Sequence, residues 1–279
     1  MVEIPQCDLA FIGGSSTLNL NIPEELNLDY VKLETSNLVF DTPFGKSPEF
    51  LVLLVENKGE TRRVLSCRMH GWRKGNTRAD ASRQVFWVLQ QAGVKQIIAE
   101  GGVGAINHLL RPRDLVIVND YMDFSMRQDV GIGDRYLMVM RDSLCPQMRA
   151  ELSRIAEKNW PGRVFDRGIY VNTDGRHFES PAEINFYKLG GGDVVGQSIC
   201  PEVYLAREIG ACYTGLYMVV NYAEGIVKPW EHEELAEIFY TEGINICRII
   251  FSFLRDITLE RDCSCSELRK DTLLRKVYE

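Results

Sequence analysis

Short apolar runs and amphipathic stretches alternate along the whole chain. Runs typical of buried strands lie at residues 9–12, 50–55, 63–66, 96–99, 115–118, 169–172, 194–196 and 213–220. Stretches with helical spacing lie at residues 79–92, 147–158 and 231–255. Because strands and helices alternate so densely, the pattern predicts one α/β domain over residues 1–279, with helices on both sides of a mixed central β-sheet.

Local signals fix several element boundaries. The turn residues at 57–60 separate two apolar runs and predict a hairpin. Ser180 followed by Pro181 and Glu183 is a capping box, which predicts the start of a helix. The charged residues 266–279 predict a helical C-terminal tail that begins at about residue 256.

Composition and charge narrow the class of protein. The 279 residues are 45% hydrophobic and 25% charged, as in ordinary globular proteins, and the net charge of −7 disfavours a nucleic-acid partner. No apolar run reaches the roughly 18 residues that a membrane span needs. The N-terminal residues lack the pattern of a signal peptide, so we expect a cytoplasmic protein without a membrane partner.

The eight cysteines are scattered along the chain and include no Cys-x-x-Cys pair. Such a set predicts reduced thiols that fill the core, and the four histidines do not join them at zinc spacing, so no metal site is expected. We interpret Cys263 and Cys265 as chance neighbours on a surface tail, since a disulfide in so short a ring is strained. The sequence leaves their redox state open.

Candidate ligand groups follow the predicted strands, where open α/β sheets bind ligands. Ser15 lies in a glycine-rich turn after the first strand, and Gly102 lies in another after residue 99. Arg68 and His70 share a face if the strand continues through them, and together they suit a phosphate. The alternatives are plain turns, an exposed arginine and a structural histidine.

A second group of candidates suits a purine. Phe178 offers a stacking face and Glu179 an acceptor for ring N–H groups. Ser198 lies beside a helix N-terminus, and Asn221 ends an apolar strand where an amide can read the edge of a base. The alternatives are roles in helix capping and in turns.

The order of these motifs resembles the family of trimeric purine nucleoside phosphorylases and methylthioadenosine phosphorylases. The matching stretches are residues 12–15, 68–70, 101–104, 168–171, 175–183, 196–202 and 232–234. The resemblance implies a phosphate site formed by Ser15, Arg68, His70, Gly102 and Ser198. It implies a base site formed by Phe178, Glu179 and Asn221, with Tyr170, Gln197 and His232 near the ribose. Asn221 and His70 are the expected catalytic residues.

The resemblance further implies phosphorolysis of purine nucleosides, with inorganic phosphate as co-substrate and no cofactor. It also implies a homotrimer or a dimer of trimers, and we expect residues 124–136 to contact the neighbouring subunit. Methylthioadenosine enzymes usually carry two acids around position 221, whereas this chain has Asn221 and Ala223. Gln197 stands where the family usually has methionine.

The polar groups predict a preference for 6-oxopurines such as those of inosine, guanosine and methylthioinosine. An ionised Glu179 accepts from N1–H of a 6-oxopurine but faces the bare N1 lone pair of adenine. Asn221 donates to N7 or O6. Three alternatives stay open at this stage, namely a methylthioadenosine phosphorylase, a purine nucleosidase that uses water, and a non-catalytic nucleoside-binding protein.

Overall fold

The computed structural model describes residues 3–133 and 135–273. The α-helices are α1 (Arg78–Gln91), α2 (Pro146–Asn159), α3 (Pro181–Leu189), α4 (Ile199–Ile209) and α5 (His232–Asp256). The strands are β1 (Leu9–Ile12), β2 (Val31–Leu38), β3 (Asp41–Thr42), β4 (Gly45–Lys46), β5 (Phe50–Asn57), β6 (Glu60–Cys67), β7 (Gln96–Ala105), β8 (Leu115–Val116), β9 (Asp120–Asp123), β10 (Tyr136–Met138), β11 (Val164–Phe165), β12 (Ile169–Asn172), β13 (Val194–Gly196), β14 (Cys212–Tyr222) and β15 (Arg269–Asp271). Short 3₁₀ helices cover Glu24–Leu26 and Met69–Gly71.

A mixed sheet forms the centre of the domain. Its main path runs β11-β8-β14-β7-β1-β6-β5-β2, and β1 pairs in parallel with both β6 and β7. β7 extends past the end of β1, where its last residues pair with β13, and β13 pairs in turn with β12. The carboxyl ends of β1, β6, β7, β13 and β14 therefore meet where the sheet divides.

Two apolar cores lie on the two faces of the sheet. Along β1, Ala10 and Ile12 pack into the core beneath α1 and α4, while Leu9 and Phe11 pack into the core beneath α2 and α5. Successive residues of a strand point to opposite faces, so a fully apolar run indicates a strand that is covered on both sides. This arrangement confirms the predicted mixed sheet with helices on both sides.

Several local predictions are confirmed. Ser180 Oγ accepts from the amide of Glu183, and the Glu183 carboxylate accepts from the amide of Ser180, which completes the capping box of α3. β5 and β6 form the predicted antiparallel hairpin across Asn57 and Glu60.

Two local predictions are wrong. The glycines after residue 99 do not form a turn, because β7 continues to Ala105 with β14 paired alongside it. Within the described residues the C-terminal tail is not helical, since it turns and then forms β15 against β10. Residues 274–279 of the predicted tail lie outside the described residues.

None of the helices that the structure describes is long and apolar enough to cross a membrane.

Candidate active site

The glycine-rich turn after β1 is fastened by a buried carboxylate. Glu100 Oε1 accepts from the amide of Gly14 (2.5 Å) and from both the amide (3.1 Å) and the hydroxyl (2.8 Å) of Thr17. Ser15 Oγ accepts from the amide of Gly102 at 3.1 Å. A methyl group at position 14 would lie 2.8 Å from His70 Nε2, so only glycine fits there. The turn thus brings the predicted phosphate ligands Ser15 and Gly102 together.

His70 is buried and held by a second carboxylate. Its Nδ1 lies 2.8 Å from Glu202 Oε1, and Glu202 Oε2 accepts from the Tyr213 hydroxyl at 2.8 Å. An ionised carboxylate only accepts hydrogen bonds, so Nδ1 donates and Nε2 is left to face Gly14 and the adjoining cavity. α4, which carries Glu202, therefore sets the orientation of the imidazole.

Arg68 does not share a face with His70. Met69 and His70 take positive φ angles of 47° and 53°, so the chain leaves the extended conformation directly after β6. Arg68 consequently lies exposed in a neighbouring groove, separated from the cavity by Trp72, which lines both. The strand geometry assumed for this pair is wrong, although the two residues are only two positions apart.

Ser198 lines the cavity at the start of α4, whereas Tyr170 lies beneath it. The Tyr170 hydroxyl accepts from the amide of Ser198 at 3.3 Å, and its ring packs on Tyr217 at 4.8 Å. Burial raises the pKa of Tyr170 to about 12, which keeps the phenol neutral. The Tyr170 side chain therefore supports Ser198 from the core, and its contact with a ribose stays a prediction.

The three predicted base-binding residues all line the same cavity. Phe178 is 46% exposed, and its ring meets Trp230 edge to face at 4.9 Å. Glu179 is buried, and its Oε1 accepts from the Thr173 hydroxyl at 2.6 Å. Asn221 lies at an irregularity in the pairing of β14 with β7, and its amide donates to the Tyr222 carbonyl at 2.7 Å. Such irregularities redirect a side chain, here toward the cavity.

The two remaining ribose candidates differ. Gln197 lines the cavity, where its Oε1 accepts from Arg78 at 2.9 Å and its Nε2 donates to the His177 carbonyl at 3.2 Å. His232 is exposed at the first turn of α5 and does not line the cavity. Leu235 and Phe239 line the cavity instead, and the contact of His232 with the ribose stays a prediction.

These residues surround one cavity of about 240 Å³. Its lining residues are Ser15, Met69, His70, Trp72, Gly101, Gly102, Val103, Gly104, Phe178, Glu179, Val195, Gly196, Gln197, Ser198, Val220, Asn221, Ala223, Glu224, Leu235 and Phe239. Its polar lining combines hydroxyls, a backbone amide and an imidazole with a carboxylate and a side-chain amide, and an exposed aromatic ring lies among them. Such a set of groups suits a planar polar ring together with a small anion.

The sequence analysis missed the buried residues that hold the cavity-lining segments in position. Glu100 and Glu202 are 0% and 1% exposed, yet each anchors a ligand-facing segment. Glu202 is the last residue of the matching stretch 196–202, and a carboxylate within an apolar helix is a signal that could have revealed it. Trp72 and Trp230 carried no comparable signal, because their positions depend on tertiary contacts with Arg78 and Phe178.

Comparison with known proteins gives matches over nearly the whole chain. The model of the phosphorylase superfamily matches residues 10–255. A probable 6-oxopurine nucleoside phosphorylase of Korarchaeum cryptofilum is 34% identical, over 88% of this chain and 95% of its own length. A probable S-methyl-5'-thioinosine phosphorylase of Methanothermobacter thermautotrophicus is 33% identical, over 92% of this chain and 87% of its own length.

Solved structures with the same fold include two methylthioadenosine phosphorylases. One comes from an antarctic soil metagenomic library and superposes with a TM-score of 0.73 at 22% identity, covering 94% of this chain and 91% of its own. The other, from Schistosoma mansoni in complex with tubercidin, has a TM-score of 0.75 at 20% identity, covering 94% of this chain and 95% of its own. At these identities the likeness concerns the fold.

Proposed function

This chain belongs to the phosphorylase superfamily, and we propose on that premise that it is a purine nucleoside phosphorylase, a pentosyltransferase that prefers 6-oxopurines. The observation that carries the proposal is one cavity whose lining includes Ser15, His70 and Ser198 together with Phe178 and Asn221. Relatives named as 6-oxopurine nucleoside phosphorylases, at 34% and 35% identity, support the same activity. The family membership expected from the motifs is confirmed.

In the proposed reaction the bond between C1′ of the ribose and N9 of the purine breaks, and a bond between C1′ and a phosphate oxygen forms. The electron pair of the broken bond goes to the purine, which then takes up a proton. Positive charge develops on the sugar and negative charge on the base. A phosphate held beneath C1′ stabilises the first charge and is oriented for attack, which removes much of the entropic barrier.

We assign phosphate binding to the hydroxyls, the backbone amide and the imidazole that line the cavity. The Ser15 and Ser198 hydroxyls can donate to phosphate oxygens, as can Nε2 of His70 when it carries a proton. The amide of Gly102 now donates to Ser15 and becomes available when that serine turns toward the anion. The Arg68 guanidinium has no hydrogen bond or ion pair among the described residues, so this long side chain is free to approach the cavity from its rim.

We assign base recognition to Glu179 and Asn221. Thr173 occupies one carboxylate oxygen of Glu179, which leaves the other for N1–H of a 6-oxopurine. The amide of Asn221 has two donor hydrogens, of which the Tyr222 carbonyl takes one. The second can donate to N7 or O6 as negative charge develops on the leaving base. Neither role requires a metal or an organic cofactor, and we propose that the reaction uses none.

A 5′-methylthio substrate is the second candidate, and one observation favours it. Leu235 and Phe239 form an apolar wall where the sequence predicted His232, so this side of the cavity offers little to a 5′-hydroxyl. The relative named as a probable S-methyl-5'-thioinosine phosphorylase supports this alternative. Methylthioinosine would fit both features, because its methylthio group suits the apolar wall and its base is a 6-oxopurine.

We further propose a cytoplasmic homotrimer. The predicted contact segment carries Phe124 and Met126, which are 44% and 91% exposed, and Phe124 meets Phe186 of α3 at 5.9 Å. Exposed apolar clusters of this kind support a protein partner, here a second copy. Eight free thiols suit the reducing cytoplasm.

The test measures release of the base from inosine, methylthioinosine and methylthioadenosine, each with and without phosphate. We expect release only with phosphate, accompanied by a pentose 1-phosphate, and fastest with a 6-oxopurine. Release without phosphate would identify a nucleosidase, and binding without release would identify a nucleoside-binding protein. Faster cleavage of methylthioadenosine than of both 6-oxo substrates would assign a methylthioadenosine phosphorylase instead.

A further inference from the structure

Four cysteines that are distant in sequence converge at the opposite end of the sheet from the cavity. Cys145 precedes α2, Cys212 begins β14, and Cys263 and Cys265 follow α5. Their four sulfur atoms all lie within 4.8 Å of one another, and those of Cys212 and Cys263 are 3.4 Å apart. The expectation of scattered core thiols and a surface Cys-Ser-Cys pair is therefore wrong for these residues. Cys265 in particular is only 3% exposed.

We infer that Cys145, Cys212, Cys263 and Cys265 form a structural zinc site. Four thiolates at the corners of a tetrahedron, each about 2.3 Å from a central Zn²⁺, are separated from one another by about 3.8 Å. The observed sulfur separations bracket that value. Four mutually close sulfurs match a tetrahedral set better than two disulfide pairs, in which each sulfur has one near partner at about 2.05 Å.

The surroundings complement the charge of such a site. Binding Zn²⁺ by four thiols releases four protons and leaves a net charge of −2 on the cluster. Arg207 is 2% exposed and donates to the carbonyl of Cys265 at 3.2 Å, and it makes no ion pair within the described residues. Arg149 lies one turn after Cys145 on α2, and its Nε is buried without a hydrogen-bond partner among the described residues. Cys145 also occupies the N-cap of α2, where the helix dipole favours a thiolate.

The zinc would fasten the segment after α5 to the domain. Residues 257–268 contain no helix or strand among the described residues, yet they lead into β15, which pairs with β10. The site is remote from the cavity, because Asn221 lies nine positions after Cys212 along β14, which is roughly 30 Å at about 3.3 Å per residue. The role is therefore structural, with four protein ligands and no open coordination position.

The test uses the full-length protein purified without added chelator or metal. We expect one zinc per chain by elemental analysis, retained after dialysis against EDTA and released when a mercurial titrates the thiols. Protein produced with Co²⁺ should show the charge-transfer and visible bands of tetrahedral cobalt thiolate. Cys212→Ser and Cys265→Ser should lower the zinc content at least tenfold, whereas Cys7→Ser, a buried cysteine outside the cluster, should keep it.

Two results would overturn the proposal. One is that the wild-type protein contains neither zinc nor another divalent metal and that, after unfolding, all four thiols of the cluster react freely. The other is an intact mass lower than that of the reduced chain by two or four hydrogen atoms, with peptides that link these cysteines as disulfides. Both readouts use the wild-type protein, so they decide the matter even if a serine variant fails to fold. Neither depends on the proposed activity.

Discussion

The two ends of β14 carry two different kinds of polar cluster. At its start, Cys212 lies beside three other cysteines, and the four sulfur atoms face one another within 4.8 Å in a closed cluster. At its far end, Asn221 faces a cavity whose polar groups are held from behind by Glu100 and Glu202 but are left open toward a ligand. A closed cluster contributes to the stability of the fold, whereas an open one keeps donors available for chemistry. Changes at the open end should therefore alter substrate preference and rate, and changes at the closed end should alter stability.

The largest effect is expected from Asn221→Asp. A protonated aspartate can serve an adenine, while an ionised one repels O6, so the ratio of kcat/KM for methylthioadenosine over methylthioinosine should rise. Gain of one matched hydrogen bond and loss of another, at about 1–3 kcal/mol each, implies roughly 10²-fold or more. Steady-state kinetics with both substrates measure the ratio. An unchanged ratio would remove Asn221 from base recognition.

A smaller effect is expected from Glu202→Gln. The variant keeps an acceptor near Nδ1 of His70 but loses the charge that fixes the ring, so kcat should fall roughly tenfold, at about 1.4 kcal/mol. Tyr213→Phe is the matched control, since it removes the other hydrogen bond of Glu202 and leaves His70 in place. Its kcat should stay within about threefold of wild type. Equal losses in the two variants would indicate that Glu202 acts only through stability.

A smaller effect again is expected from Arg68→Ala. An exposed charge that binds an anion contributes modestly, so the apparent KM for phosphate should rise by about fivefold while that for the nucleoside stays nearly constant. Arg167→Ala, which changes an exposed arginine whose ion pair is with its neighbour Asp166, serves as control. If phosphate dependence does not change in the Arg68 variant, the arginine plays no part in phosphate binding.

The smallest effect on catalysis is expected from Cys212→Ser. Because the cysteine cluster is remote from the cavity, kcat/KM at 25 °C should stay within about twofold of wild type. Loss of the proposed zinc should lower the midpoint of thermal unfolding by more than about 5 °C. Calorimetry and kinetics on the same preparation test both statements. A large loss of activity in a folded, thermally stable variant would contradict the separation of the two ends.

The sequence alone determined the elements whose signals are local. Apolar runs such as Leu9–Ile12 and Ile169–Asn172 coincide with β1 and β12, because a strand buried on both faces must be apolar throughout. The capping box at Ser180 begins α3 because its hydrogen bonds span only three residues. The order of the short motifs likewise identified the family, and eight of the eleven site residues that it predicts line the cavity.

Only the tertiary structure decided which side chains meet. Positive φ angles at Met69 and His70 turn Arg68 away from His70, and Tyr170 packs on Tyr217 in the core with its hydroxyl at the amide of Ser198. β7 runs through its glycines because β14 pairs beside it. The four cysteines come from three parts of the chain, and no local pattern indicates that the start of α2, the start of β14 and the segment after α5 meet at one place. Contacts of this kind join residues that are far apart in sequence. They depend on how the helices and strands pack together, which the spacing of residues along the chain does not reveal.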